Sequence, residues 1–203
     1  MTRTITLLLL GLMSCIGAPE TETASKKKTP KDYTSKHTEA LAFCKKEKFN
    51  EDYYFLLDMS VHSGRNRFFV YDFNEKKIVD SNIVTHGSCD IHEDNDEKWE
   101  KAKFSNADGS HCTAVGKYKI GKRDYSSWGI KVKYWLHGLE KTNNNAVARV
   151  VVLHSWTAVA DTEIFPDYSP LSWGCPAVSD NFMRKLDTRL QKAEKPVLLW
   201  IIN

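Results

Sequence analysis

The sequence predicts a mostly β domain (α+β) carrying one or two helices. Three observations support that class. From Tyr53 onward, short aromatic and apolar runs alternate with turn-forming clusters at the spacing of antiparallel strands. One clean apolar stripe at helical spacing, Phe182, Leu186, Leu190 and Ala193, stands near the end of the chain. The 203 residues, 41% hydrophobic, suffice for one compact core, and neither an internal repeat nor a second domain is visible.

The elements follow in chain order. Arg3 precedes an apolar run, Ile5 to Met13, broken only by Thr6 and Gly11. A basic start and a short apolar core read as an export signal, too short to span a bilayer as a helix. The run ends in Leu12-Met13-Ser14-Cys15, which resembles a bacterial lipobox. That resemblance implies cleavage before Cys15 and a lipid anchor on it; the alternative is plain secretion with cleavage near Ala18. Residues 1–14 are then a signal, 15–36 a lipid-anchored tether and 37–203 the folded domain. Ile16 stands in place of Asp, which in Gram-negative lipoproteins implies the outer membrane, facing the periplasm. The tether, Glu- and Thr-rich and then Lys26-Lys27-Lys28, lacks apolar periodicity and reads as extended or disordered chain.

Thr38 to Phe49 reads as a short helix. Tyr53–Leu57, Arg67–Phe73 and Ile78–Val84 read as strands, separated by the turns Ser63–Asn66 and Asn74–Lys77. Val115–Ile120, Ile130–Leu136 and Ala148–His154 continue the series. The last is apolar enough to be a central strand buried on both faces. Ser179 or Asp180 caps the striped helix, Pro196 stops it, and Val197–Ile202 form a final strand.

Composition excludes some functions. A net charge of +3 is too slight for a nucleic-acid binder, and six Trp, eight Tyr and nine Phe exclude a wholly disordered chain. The acidic segment Asp90 to Lys103 lacks the central glycine and closing glutamate of a calcium loop, so it reads as solvated surface. His86, His92, His111 and His137, with Cys89 and Cys112, show no Cys-x-x-Cys or His-x-x-x-His spacing, so no metal site is expected. Five cysteines are an odd number. Cys89 and Cys112 flank the acidic loop and are either a disulfide or two free thiols; Cys44 reads as a core thiol.

Chemistry concentrates in Ser172-Trp173-Gly174-Cys175-Pro176-Ala177. A cysteine after a glycine and shortly before a helix sits among outward backbone N–H groups, which lower a thiol pKa and can bind an oxyanion. His154, at the end of the apolar strand and followed by Ser155, is the candidate base. A buried structural thiol and a core histidine fit the same residues, and spacing alone does not separate the two readings.

The pattern His154-Ser155, a gap, and Ser172-x-Gly174-Cys175 resembles the YkuD-like L,D-transpeptidase catalytic domain, in the murein branch reading Gly-Cys-Pro-Ala. Val84-Thr85-His86-Gly87, Phe104-Ser105-Asn106 with Ser110, Thr113 to Tyr118, Gly138-Leu139-Glu140, Asn145 and Arg149 match that branch in order. The resemblance covers about Tyr53 to Ile202 and implies a β-sandwich or barrel. It implies Cys175 as nucleophile, His154 as base, Ser155 orienting the histidine through its carbonyl, and the Gly174 and Cys175 amides as oxyanion hole. Ser172, Trp173, Tyr118, Gly116, Ser105, Asn106 and Arg149 are the implied substrate contacts. Trp173 departs from the wider family, which carries a second histidine there, and Ala177 stands where many members carry a polar residue.

The implied reaction is acyl transfer on peptidoglycan stem peptides through a Cys175 thioester. It releases D-Ala and delivers the acyl group to an amine of a second stem or of a lysine on a wall-attached protein. With water as acceptor the activity is that of an L,D-carboxypeptidase. A non-enzymatic wall-binding lipoprotein on the same scaffold is the other class. No cofactor is required. Amidase-type cysteine peptidases place the cysteine before the histidine, whereas here His154 comes first.

Overall fold

The structure, a computed structural model, describes residues 31–90 and 96–203. The signal, Cys15, the lysine tract and part of the acidic segment, with His92, lie outside the described residues. Among the described residues eight strands form one sheet: β1 (Tyr53–Asp58), β2 (Phe68–Asp72), β3 (Lys77–Asn82), β4 (Gly116–Tyr125), β5 (Val132–Gly138), β6 (Val152–Ser155), β7 (Ala177–Val178) and β8 (Leu198–Ile202). Their order is β3-β2-β1-β8-β4-β5-β6-β7. Among the described residues two α-helices pack on it, α1 (Thr34–Glu47) and α2 (Asp180–Gln191).

Alternation along β1 and β8 explains why both helices are needed. Phe55, Leu57, Leu199 and Ile201 face one core, which α2 closes with Phe182, Met183, Leu186 and Leu190. Tyr54, Leu56, Leu198 and Trp200 face the opposite side, where Ala40 and Cys44 of α1 join Tyr33, Phe49 and Phe73. Strands covered on both faces are apolar along nearly their whole length, and these two, adjacent inside the sheet, are so except at Asp58. Ser179 caps α2, its hydroxyl accepting from the Phe182 N–H at 3.2 Å.

Three expectations change. The first helix begins at Thr34, and Tyr33 is buried with its hydroxyl donating to Asp58 at 2.7 Å, so ordered chain extends into the expected tether. A two-residue strand, β7, lies between the cysteine motif and α2. The apolar run Ala148–His154 is a strand only from Val152, and it lies one strand in from the sheet edge. Its first half ends a helical turn instead: Val151 N–H donates to Ala146 O at 2.8 Å and Val150 N–H to Val147 O at 3.0 Å. That pattern needs a left-handed residue, and Val150 supplies it at φ 56°.

Cys89 and Cys112 form a disulfide. Cys44 is a buried free thiol whose pKa is pushed up to about 12, by burial first and by Glu51 second.

Candidate active site

The outward face of β5 and β6 forms the floor of a cleft of about 790 Å³. Lys133 pairs with His154 and Trp135 with Val152 across this antiparallel ladder, so these side chains share one face. Tyr134 and Leu153, between them, point into the core. Tyr125, Trp128, Trp156 and Trp173 supply aromatic walls, with Trp128 and Trp156 edge to face at 5.7 Å.

Cys175 reaches this floor from the loop before β7. The Ser172 hydroxyl donates to the Cys175 carbonyl at 2.7 Å, and the Thr85 hydroxyl donates to the same oxygen at 3.1 Å. Ser172 N–H donates to His86 O at 2.9 Å, and Ser88 N–H to Ser172 O at 2.8 Å. The loop is thereby stitched to residues 85–88. Gly174 adopts φ 99°, and a Cβ there would stand 2.6 Å from the Cys112 carbonyl oxygen, so only glycine fits.

The thiol is positioned by backbone groups. Its Sγ accepts from the Val152 N–H at 3.4 Å and donates to the Val150 carbonyl at 3.6 Å. The strained Val150 therefore aims an acceptor at the sulfur. Burial pushes the Cys175 pKa up, and the Val152 N–H, Arg149 and Lys133 pull the other way without overcoming it. The expected lowering by a helix terminus is not realised, because β7 separates Cys175 from α2.

His154 also lines the cleft and is 9% exposed. Burial pushes its pKa below the ordinary histidine value, Lys133 adds to that, and the Ser155 carbonyl opposes it. The Nδ1–H donates to that carbonyl at 2.9 Å, which leaves Nε2 as the basic nitrogen. The Ser155 hydroxyl accepts from the Ile130 N–H at 3.0 Å, fixing the residue that orients the ring. Thiol and imidazole thus share the cleft as a neutral pair at pH 7.

The predicted oxyanion pair is only half available. The Gly174 N–H donates to the Ser172 hydroxyl at 3.2 Å, while the Cys175 N–H has no partner among the described residues.

Several expected substrate contacts are internal braces. Arg149 touches the cleft, but its guanidinium donates to Ser105 O at 3.0 Å, the Ser110 hydroxyl at 3.3 Å and Cys112 O at 2.6 Å. Tyr118, Gly116, Ser105 and Asn106 do not line the cleft. Tyr118 is fully buried with its hydroxyl on Ala114 O at 2.6 Å. Gly116 starts β4 opposite Ile201. The Ser105 hydroxyl accepts from the Ala107 N–H at 3.1 Å. Asn106 clasps the turn at Lys141, Asn144 and Asn145.

Trp173 does line the cleft and is 76% exposed. Its indole stacks on His111 at 4.9 Å, and His111 Nδ1–H donates to Asp90. Asp90 and His111 each adjoin one half of the Cys89–Cys112 disulfide, so the bridge anchors the platform under Trp173.

Lys133, Trp128, Trp156 and Val150 are cleft residues that the motif reading missed. Lys133 was visible in principle: it is the outward position of an alternating strand.

Residues 25–200 match the family model of the L,D-transpeptidase catalytic domain. No curated protein matches. Among solved structures, similarity extends to the helical cell shape determining protein Pgp2 from Campylobacter jejuni, 14% identical over 79% of this chain and 54% of that one, TM-score 0.43. It extends also to an L,D-transpeptidase from Xylanimonas cellulosilytica, 11% identical over 74% and 60%, TM-score 0.40. The transpeptidase LdtMt1 in complex with imipenem is 14% identical over 74% and 59%, TM-score 0.38. The chain spans about half to three fifths of the length of these structures. The family match covers most of the chain, including both His154 and Cys175: the protein belongs to the L,D-transpeptidase catalytic domain family.

Proposed function

We propose that the protein is a peptidoglycan L,D-transpeptidase acting through a Cys175 thioester. The observation that carries this reading is the thiol and the imidazole lining one cleft, with His154 Nε2 left free by the Ser155 carbonyl.

His154 Nε2 takes the thiol proton as Cys175 Sγ attacks the carbonyl of the third stem residue. The sulfur–carbon bond forms, the carbon–nitrogen bond breaks, and the proton passes to the departing D-Ala amine. The Cys175 N–H stabilises the oxyanion, and the Gly174 N–H joins it if Ser172 Oγ turns away. An amine of a second stem, or of a lysine on a wall-attached protein, then resolves the thioester. Ser155 orients the base and Ser172 shapes the nucleophile loop. Trp173, with Trp128 and Trp156, packs along the peptide.

Export and lipidation at Cys15 place the domain in the cell envelope, on the outer membrane facing the periplasm. The oxidising side of the membrane is where a Cys89–Cys112 bridge persists.

Digestion of purified sacculi with the protein, read by mass spectrometry of the muropeptides, tests this reading. New cross-links or protein-linked stems, lost in Cys175→Ala, are expected. Shortened stems alone would identify water as the acceptor, and unchanged stems would identify a binding module.

A further inference from the structure

Besides His154, Cys175 and the Tyr125 phenol, four ionisable side chains line the cleft: Asp108, His111, Lys133 and Arg149. Two are already engaged. The Arg149 guanidinium is spread over Ser105, Ser110 and Cys112, and His111 is held by Asp90. Lys133 is different. It is half-buried, it forms no ion pair among the described residues, and its ammonium nitrogen lies 5.0 Å from the Trp135 ring; Asp124, opposite it on β4, is engaged by the Trp135 indole N–H at 3.1 Å and the Tyr125 N–H at 2.8 Å. A half-buried ammonium with no carboxylate at ion-pair distance, on the floor of a cleft walled by aromatic side chains, can take an anion.

The register says which anion. Lys133 stands directly opposite His154 on the same face of the β5–β6 ladder, at the separation of a cross-strand pair, roughly 5 Å between Cβ atoms. His154 is the group that hands a proton to the departing amine. In a departing α-amino acid the carboxylate lies two bonds from that amine. We propose that Lys133 binds the free C-terminal carboxylate of the leaving residue, so that the enzyme accepts donors with one residue beyond the scissile bond. This deepens the proposed function and rests on it for the direction of the peptide. The step is unchanged in its balance: the sulfur–carbon bond replaces the carbon–nitrogen bond, and the free amino acid leaves with its carboxylate paired to Lys133. A donor amidated at its C-terminus, or longer by one residue, presents no charge there.

The test separates this role from catalysis by measuring binding in the Cys175→Ala protein. The probe is a stem tetrapeptide with a free C-terminus, compared with its C-terminal amide by calorimetry. The acid is expected to bind roughly 10- to 100-fold more tightly than the amide, the scale of a charge-assisted hydrogen bond. That preference should vanish in Lys133→Met and survive in Lys133→Arg. If Lys133 served only to tune the thiol, Lys133→Met would slow acylation by acid and amide alike in the Cys175 protein. Equal binding of acid and amide, or a preference that persists in Lys133→Met, overturns the proposal. Preferential binding of the acid by a protein that never forms a thioester would support the role of Lys133 and overturn the proposed activity instead.

Discussion

His154 Nδ1 lies 2.9 Å from the carbonyl oxygen of Ser155, the next residue in the chain. A carbonyl only accepts, so Nδ1 carries the hydrogen and Nε2 is the nitrogen that can take a proton. Burial holds the His154 pKa below 6.5 and the Cys175 pKa above 9.0, so neither group is charged at neutral pH. A preformed thiolate–imidazolium pair is therefore disfavoured, and in the proposed mechanism the histidine is a general base. The acylation rate should be level from about pH 7 to 8 and fall on a single limb below pH 6.5, where the base becomes protonated. Acylation rates followed by intact mass across that range check this. A limb centred above pH 7, or none down to about pH 4, would contradict it.

Val150 occupies a left-handed conformation that glycine adopts freely. Val150→Gly should raise stability by about 1 kcal/mol, because relief of the strain exceeds the added chain entropy. The same change loosens the carbonyl that accepts from the Cys175 thiol, so acylation should slow several-fold. Urea midpoints and acylation rates measured on one preparation check both halves. A destabilised variant would show that the conformation costs nothing.

The disulfide closes a loop between Cys89 and Cys112, a sequence separation of 23. Its removal in a Cys89→Ser, Cys112→Ser protein should cost about 3 kcal/mol by the loop-entropy relation. Activity should fall further than stability alone explains. The Cys112 carbonyl receives Arg149 and closes against Gly174, and His111 carries Trp173. Full activity in the folded double variant would show that the bridge does not hold the nucleophile loop.

His86 sits buried between two neighbours, its Nδ1 accepting from Arg67 at 2.8 Å and its Nε2–H donating to Lys98 O at 2.6 Å. Burial first and Arg67 second lower its pKa to about 4. The unfolded chain therefore binds a proton that the folded chain refuses between pH 6.5 and about 4. Stability is complete above pH 6.5 and should decline through that window by about 3 kcal/mol. Thermal melts against pH measure it. His86→Gln keeps a donor and an acceptor and should flatten the decline; an unchanged slope would place the acid-sensitive group elsewhere.

The sequence was most legible where local pattern and burial agree. The strands at Tyr53, Phe68 and Leu198 and the stripe of α2 are apolar for the reason that makes them visible. Cys175 and His154, which line one cleft, were legible through their motifs. The stretch before His154 was misread because apolarity is not extension: Val147 and Val150 are 44% and 52% exposed on a helical turn. Ser105, Asn106 and Tyr118 fall in order with a family pattern, and their work in the fold is to brace the chain around the cleft. The outward position of Lys133 shows in the alternation of its strand, but its place beside His154 lies in strand register, which brings together residues 21 positions apart.

In the proposed mechanism Cys175 forms a thioester with the donor stem. Intact-protein mass after incubation with a stem tetrapeptide, in the absence of an amine acceptor, tests it directly. The expected result is an increase equal to the donor minus its terminal alanine, mapped to Cys175, discharged by hydroxylamine and absent from Cys175→Ala. An unmodified protein alongside unconsumed tetrapeptide would contradict it.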